Sequence, residues 1–120
     1  MKNKEFVLRY FNALSGQTKT KEKLQEFMSD QVLIDTILFF ESAFPKYKHV
    51  AEEMISEGNQ VVVHARFQGK HEGEFSGVLP SHKNVDFNFA VNYTIVNNKI
   101  VTHWLIADQM TLMEQLGINN

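Results

Sequence analysis

Apolar positions along the chain change their period once, near Tyr47, and that change divides the protein into a helical half and a strand half. Phe6, Val7, Tyr10, Phe11 and Leu14 recur at the spacing of one helix face, and Ser15-Gly16 supplies a glycine to end it. Residues 20–28 repeat the pattern with Leu24, Phe27 and Met28. Ser29-Asp30 then offers an N-cap for a third helix carrying Leu33, Ile34, Ile37, Leu38, Phe40 and Phe44, which Pro45 ends. Beyond Tyr47 the period falls to two. Segments 48–56 and 60–71 flank a Glu57-Gly58-Asn59 turn; a glycine-punctuated stretch leads to a polar turn at 81–84, and Asn97-Asn98 joins segment 85–96 to segment 99–107. A short helix through Leu112, Met113 and Leu116 finishes at Gly117. Helices first and a strand meander afterwards predict an α+β fold, with the helices packed on one face of a curved antiparallel sheet.

Strand parity singles out a site. With Asn97-Asn98 as a two-residue loop, Ile95 pairs with Ile100, Tyr93 with Thr102, Val91 with Trp104, Phe89 with Ile106 and Phe87 with Asp108. One face then gathers Phe87, Phe89, Val91, Tyr93, Ile100, Trp104 and Ile106, with Asp108 at its end. A carboxylate there is informative, because burial without a partner raises its pKa and raised carboxyls serve acid and base catalysis. In the first hairpin Val61, Val63, Ala65, Phe67 and His71 share one parity, so His71 also ends an apolar stripe unless a bulge at Gly69 reverses it.

The same residues have plainer readings. Asp108 is placed to cap the last helix, which would lower its pKa, although Thr111-Leu112-Met113-Glu114 fits a capping box that starts that helix later. Trp104 reads as core, His71 as a solvated loop histidine, Arg66 with Glu53 as a surface pair, and Phe39, Phe40 and Phe44 as helix-to-sheet packing. The loop length leaves the side taken by Glu52 open.

Composition narrows the function classes. A length of 120 residues predicts one domain, 1–120, in which roughly two-thirds of the unfolded chain's surface can be buried. The absence of cysteine removes disulfides and thiolate chemistry and fits a reducing, cytoplasmic setting. Five histidines show no zinc-ligand spacing, so no metal is expected. A net charge of -2 with mixed signs gives no footprint for nucleic acid. Lys2, Lys4, Glu5 and Arg9 interrupt the first fourteen residues, which excludes an apolar leader or a membrane span there.

Several segments occur in a telling order: Ala43-Phe44-Pro45, Glu57-Gly58-Asn59 before a valine-rich strand, Gly69-Lys70-His71-Glu72-Gly73-Glu74-Phe75-Ser76-Gly77, Pro80 to Lys83, Lys99 through Asp108, and Glu114-Gln115-Leu116-Gly117. Across nearly the whole chain this order resembles the SnoaL-like polyketide cyclases, or ester cyclases, of the nuclear-transport-factor-two-like superfamily. The resemblance implies a cone of helices over a curved sheet enclosing a pocket, a homodimer, and an aspartate, here Asp108, acting as acid and base in aldol ring closure. Gly69-Lys70-His71 replaces the family's frequent Gly-Thr-His, Pro80-Ser81-His82-Lys83 replaces Pro-Thr-Gly-Lys, and the segment between Met28 and Phe44 is shorter than in many members.

The expectation is a cofactor-free enzyme whose pocket, lined by Phe67, Phe89, Tyr93, Trp104 and Phe44, holds a small apolar or aromatic carbonyl compound. Asp108 moves a proton next to the carbonyl and His71 donates to the enolate, an economy that ketosteroid isomerase illustrates. The alternative is a non-catalytic ligand carrier or a dimeric interaction module. Activated-water hydrolysis ranks third, because no inward Asp-Arg-Asp constellation is visible. The second sheet face, with Val101, Leu105 and Ala107 amid polar residues, is one surface that could support a homodimer, and the sequence does not choose between the faces.

Overall fold

Elements follow the order α1 (Lys2–Leu14), α2 (Lys21–Gln25), α3 (Gln31–Ala43), β1 (Lys48–Glu57), β2 (Gln60–Lys70), β3 (Asn84–Val96), β4 (Lys99–Ala107) and α4 (Gln109–Gln115) in the computed structural model, which describes residues 2–118. The strands form one antiparallel meander in the order β1-β2-β3-β4. This is the expected α+β architecture.

Local chemistry explains the boundaries. Thr20 caps α2 by accepting from the Lys23 amide, and Asp30 caps α3 by accepting from the Leu33 amide. Gly16 takes φ +76° just beyond α1, a conformation glycine adopts without Cβ strain. Asn97 and Asn98, at φ 50° and 59°, form the β3–β4 turn that their side chains tolerate.

The core lies between the helices and one face of the sheet. Phe6, Val7, Tyr10, Phe11 and Leu14 of α1 and Leu33, Ile34 and Ile37 of α3 are buried against Val61, Val63, Ala65 and Phe67 of β2 and Phe87, Val91 and Tyr93 of β3. Phe67 sits between two stacked rings, Tyr47 at 4.4 Å and Phe87 at 4.8 Å between centroids. Each such side chain contributes about 1.5–3 kcal/mol on burial. The glycine-punctuated segment after β2 closes over the end of α3, where the amides of Glu72 and Gly73 both donate to the Ala43 carbonyl. A Cβ on Gly73 would lie 2.0 Å from the Ser42 carbonyl oxygen, so only glycine permits this approach.

Two bulges set which way the strand side chains face. In β1 the pairing shifts between Ala51 and Glu53, leaving Glu52 as the extra residue. Glu52 is exposed, which answers the question of its side. In β4 the pairing begins as expected, Val96 with Lys99 and Ile95 with Ile100, and then shifts, so that Thr94 pairs with Thr102 and Val101 is extra. One inserted residue reverses the facing of every side chain after it. Asn92, rather than Val91, therefore pairs with Trp104, Val91 with Leu105 and Ala90 with Ile106.

Candidate functional site

The β4 bulge rewrites the predicted site. Trp104 and Ile106 turn to the outer face, 47% and 68% exposed, while His103, Leu105 and Ala107 turn toward the helices. Trp104 is neither pocket wall nor core, and the expectation that Leu105 and Ala107 belong to the second face is likewise reversed. Asp108 follows in the same slip. Its amide donates to the Asn88 carbonyl at 2.9 Å, and its exposed carboxylate caps α4, with Oδ1 accepting from the Thr111 amide at 3.1 Å and Oδ2 from the Thr111 hydroxyl at 2.7 Å. The Thr111 hydroxyl and amide bonds hold its pKa below the ordinary aspartate value. The capping box that would have released Asp108 does not form as expected, because α4 already starts at Gln109.

His71 is placed where parity put it, facing inward, and it is fully buried rather than a solvated loop residue. Its Nδ1 accepts from the Ser81 amide at 3.2 Å and lies 2.9 Å from the Ser81 hydroxyl, so the neutral ring carries its proton on Nε2. That nitrogen is buried without a partner, and the ring packs 5.5 Å from Phe44. His71 ties the 71–83 segment together and is not part of the cavity wall. Phe44 is also one layer back, its ring 5.4 Å from Phe67. Arg66 pairs with Asp86 at 2.6 Å instead of with Glu53, and Glu53 lies 3.3 Å from His64.

What the fold does enclose is a narrow cavity of about 50 Å³ between α1, α3 and the inner face of the sheet. Phe67, Phe89 and Tyr93 line it, as the sequence leads one to expect, joined by Leu33, Ile37 and Phe87. Thr36, Phe40, Phe89, Leu105 and Ala107 are its less buried residues and form the mouth. At the other end the polar atoms come from Tyr10, Tyr47, Tyr93 and His49, all buried. The His49 ring lies 5.9 Å from both Tyr10 and Tyr47, and the Tyr10 and Tyr93 rings meet edge-on at 5.9 Å. Burial pushes the three phenols above their ordinary pKa, while burial, with nearby Lys19, lowers His49 to about 4.

Lys19 stands behind this end. Its buried ammonium is bonded by the carbonyls of Gln17 and Tyr47 and lies 3.8 Å from the Tyr47 ring centroid. Desolvation lowers its pKa to about 8 against the opposing pull of Glu41.

A second polar group lies on the inner face beside the cavity. His103 pairs in register with Tyr93 and shares its facing with Leu105, both of which line the cavity. Its Nδ1 lies 2.6 Å from Asp30 Oδ2, while Asp30 Oδ1 accepts from the Leu33 amide at 3.1 Å. Both side chains are nearly buried, at 11% and 8% exposure. A carboxylate on Nδ1 fixes the tautomer and leaves Nε2 with its lone pair, the arrangement a general base needs. The sequence carried one sign of this pair, the Asp30 cap; the inward turn of His103 depended on the bulge. Among the described residues no group of three or more histidine and carboxylate side chains is placed to hold a metal ion, and no helix is long and apolar enough to cross a membrane.

A helical layer over one face of an antiparallel meander, enclosing an aromatic-lined cavity, is the SnoaL and nuclear-transport-factor-two-like architecture. The chain belongs to the SnoaL-like polyketide cyclase family, whose model matches residues 20–116. A protein from Jannaschia sp. CCS1, provisionally assigned as a SnoaL-like polyketide cyclase, superposes with a TM-score of 0.82 at 25% identity, over 98% of this chain and 93% of that one. A SnoaL-like polyketide cyclase from Agrobacterium tumefaciens C58 gives 0.77 at 20% identity, covering 96% and 98%. AclR from Streptomyces galilaeus, provisionally assigned as a hydroxylase, gives 0.83 at 19% identity, covering 97% and 81%. No functionally curated protein matches the chain in sequence.

Proposed function

We propose that this cyclase-family protein takes a small apolar or aromatic carbonyl compound into the cavity and moves a proton next to the carbonyl, with His103 as the base and Asp30 as the residue that positions it. The observation that carries this reading is the 2.6 Å Asp30–His103 contact on the inner face, where His103 is the cross-strand neighbour of the cavity residue Tyr93. Asp108 is a poor alternative base. Its carboxylate faces solvent, both oxygens are engaged by Thr111, and its lowered pKa weakens it as a base.

The cavity constrains the substrate. At about 50 Å³ it is smaller than the roughly 150 Å³ that holds one benzene ring in an apolar protein core, so ligand entry requires the mouth residues Phe40 and Leu105 to swing aside. Apolar walls favour a planar ring over a polar chain. Hydrogen–deuterium exchange next to the carbonyl of an aryl ketone, followed by NMR, tests the proposal. His103→Gln is expected to slow it by about a hundred- to ten-thousand-fold, and Asp108→Asn to leave it within about threefold. Exchange that survives in His103→Gln overturns the base assignment, and ketone binding without exchange in the wild type marks a carrier.

We propose that the protein self-associates through the outer face. Ile55 and Trp104 lie in one cross-strand row with Val62 and Asn92, next to Ile106, and all three of Ile55, Trp104 and Ile106 are exposed. Light scattering of the wild type and of Trp104→Glu reads this directly: a dimer that dissociates in the variant supports it, and a wild-type monomer ends it.

A further inference from the structure

The inner end of the cavity is unlike its walls. Phenylalanine and aliphatic side chains surround most of the space, yet Tyr10, Tyr47, Tyr93 and His49 bring four polar groups together where solvent is excluded. Burying so many polar groups is costly unless they are bonded to something.

Their internal bonds do not use them up. His49 Nε2 lies 3.1 Å from the Phe11 carbonyl oxygen, which can only accept, so Nε2 carries the ring proton and Nδ1 is left as an acceptor. Tyr10 and Tyr93 meet edge-on with ring centroids 5.9 Å apart, and each phenol carries one proton to donate. A free acceptor and a free donor thus lie together on rings 5.9 Å apart. The cluster is also electrically neutral near pH 7, since burial keeps the phenols protonated and the imidazole unprotonated. The nearby cation, Lys19, is satisfied by carbonyls and Glu41 and does not line the cavity.

We propose that the inner end of the cavity is a recognition site for a neutral hydroxyl on the ligand, a phenol or the enol of a 1,3-dicarbonyl, which donates to His49 Nδ1 and accepts from the Tyr10–Tyr93 pair. The ligand class becomes hydroxylated aromatic or enolised carbonyl compounds, with carboxylates disfavoured because burial strips an anion of solvent and the nearby cation, Lys19, is already engaged by carbonyls and Glu41. The inference rests on the ligand-binding part of the function proposed above and adds the group that orients the ligand.

Titration of the whole protein with phenol, toluene and benzoate, followed by ¹⁵N NMR of the histidine side chains, tests it. Phenol is expected to bind about tenfold more tightly than toluene, the gain of one or two net hydrogen bonds, and benzoate more weakly than either. The His49 Nδ1 resonance is expected to move with phenol and to stay in place with toluene. Tyr10→Phe, which keeps the ring and its packing, should narrow the phenol preference to about threefold or less. Toluene binding as well as phenol, benzoate binding best, an unmoved His49 Nδ1, or no binding of any probe would each overturn the proposal. The wild-type nitrogen shift stands whether or not a variant folds. Failure here leaves ketone exchange through His103 unaffected, whereas a phenol preference in a protein without exchange would remove only the catalytic reading.

Discussion

The N-termini of α3 and α4 are built alike and do different things. Each begins with an aspartate whose Oδ1 accepts from the amide three residues on, at 3.1 Å in both cases. The second oxygen separates them. At Asp30 it meets His103 at 2.6 Å in a nearly buried pair, and at Asp108 it meets the hydroxyl of Thr111 in solvent. Capping uses one carboxylate oxygen, so what a capping aspartate can do chemically is decided by what the neighbouring strand offers the other. Strand β4 offers Asp30 a histidine only because of its bulge.

The largest difference is expected in catalysis. In the ketone exchange reaction Asp30→Asn should lower the rate by about a hundredfold or more, since an amide that presents its NH₂ to Nδ1 favours the wrong tautomer, while Asp108→Asn stays near wild type. Equal losses in both variants would break the distinction. In urea denaturation, Asp30→Ala is expected to cost about 2–4 kcal/mol, the cap plus a charge-assisted bond whose histidine is left nearly buried, and Asp108→Ala about 1 kcal/mol, the cap alone.

Acid sharpens the contrast further. His49, neutral in the fold with its pKa lowered to about 4, takes up its proton first in the unfolded chain, so stability falls as pH drops from about 6.5 toward 4, by roughly 3 kcal/mol at the lower end. His49→Gln should flatten that limb in pH-dependent unfolding. Asp108 acts lower. Its folded pKa is below 3.8, so the stability it lends is present above that value and is lost as pH falls through the folded pKa. This smallest effect is read as a shallower acid limb in Asp108→Asn below about pH 4, in a background where His49 has been replaced.

Much of the fold was legible in the residues. The period change near Tyr47, the Asp30 cap, the asparagine turn and the inward stripe of β2 all describe local choices that the chain makes with its own neighbours. Phe67, Phe89 and Tyr93 reach the cavity because they precede any irregularity in their pairing or lie in strands where parity holds. Trp104 and Asp108 miss it for a single reason: they follow the extra residue at Val101. The roles of Tyr10, Tyr47 and His49 stayed hidden because each comes from a different element, α1, the α3–β1 connection and β1, and reads separately as core or surface.

Sequence alone determined the elements, their order and the α+β layering, because periodicity, caps and turn residues act over a few positions. Tertiary structure decided which aspartate meets a histidine and which aromatic residues share a cavity. The β4 bulge falls next to Ile100, whose backbone bonds to Phe27 and Ser29 in the connection between α2 and α3, and a one-residue slip there costs little in pattern while reversing every side chain beyond it.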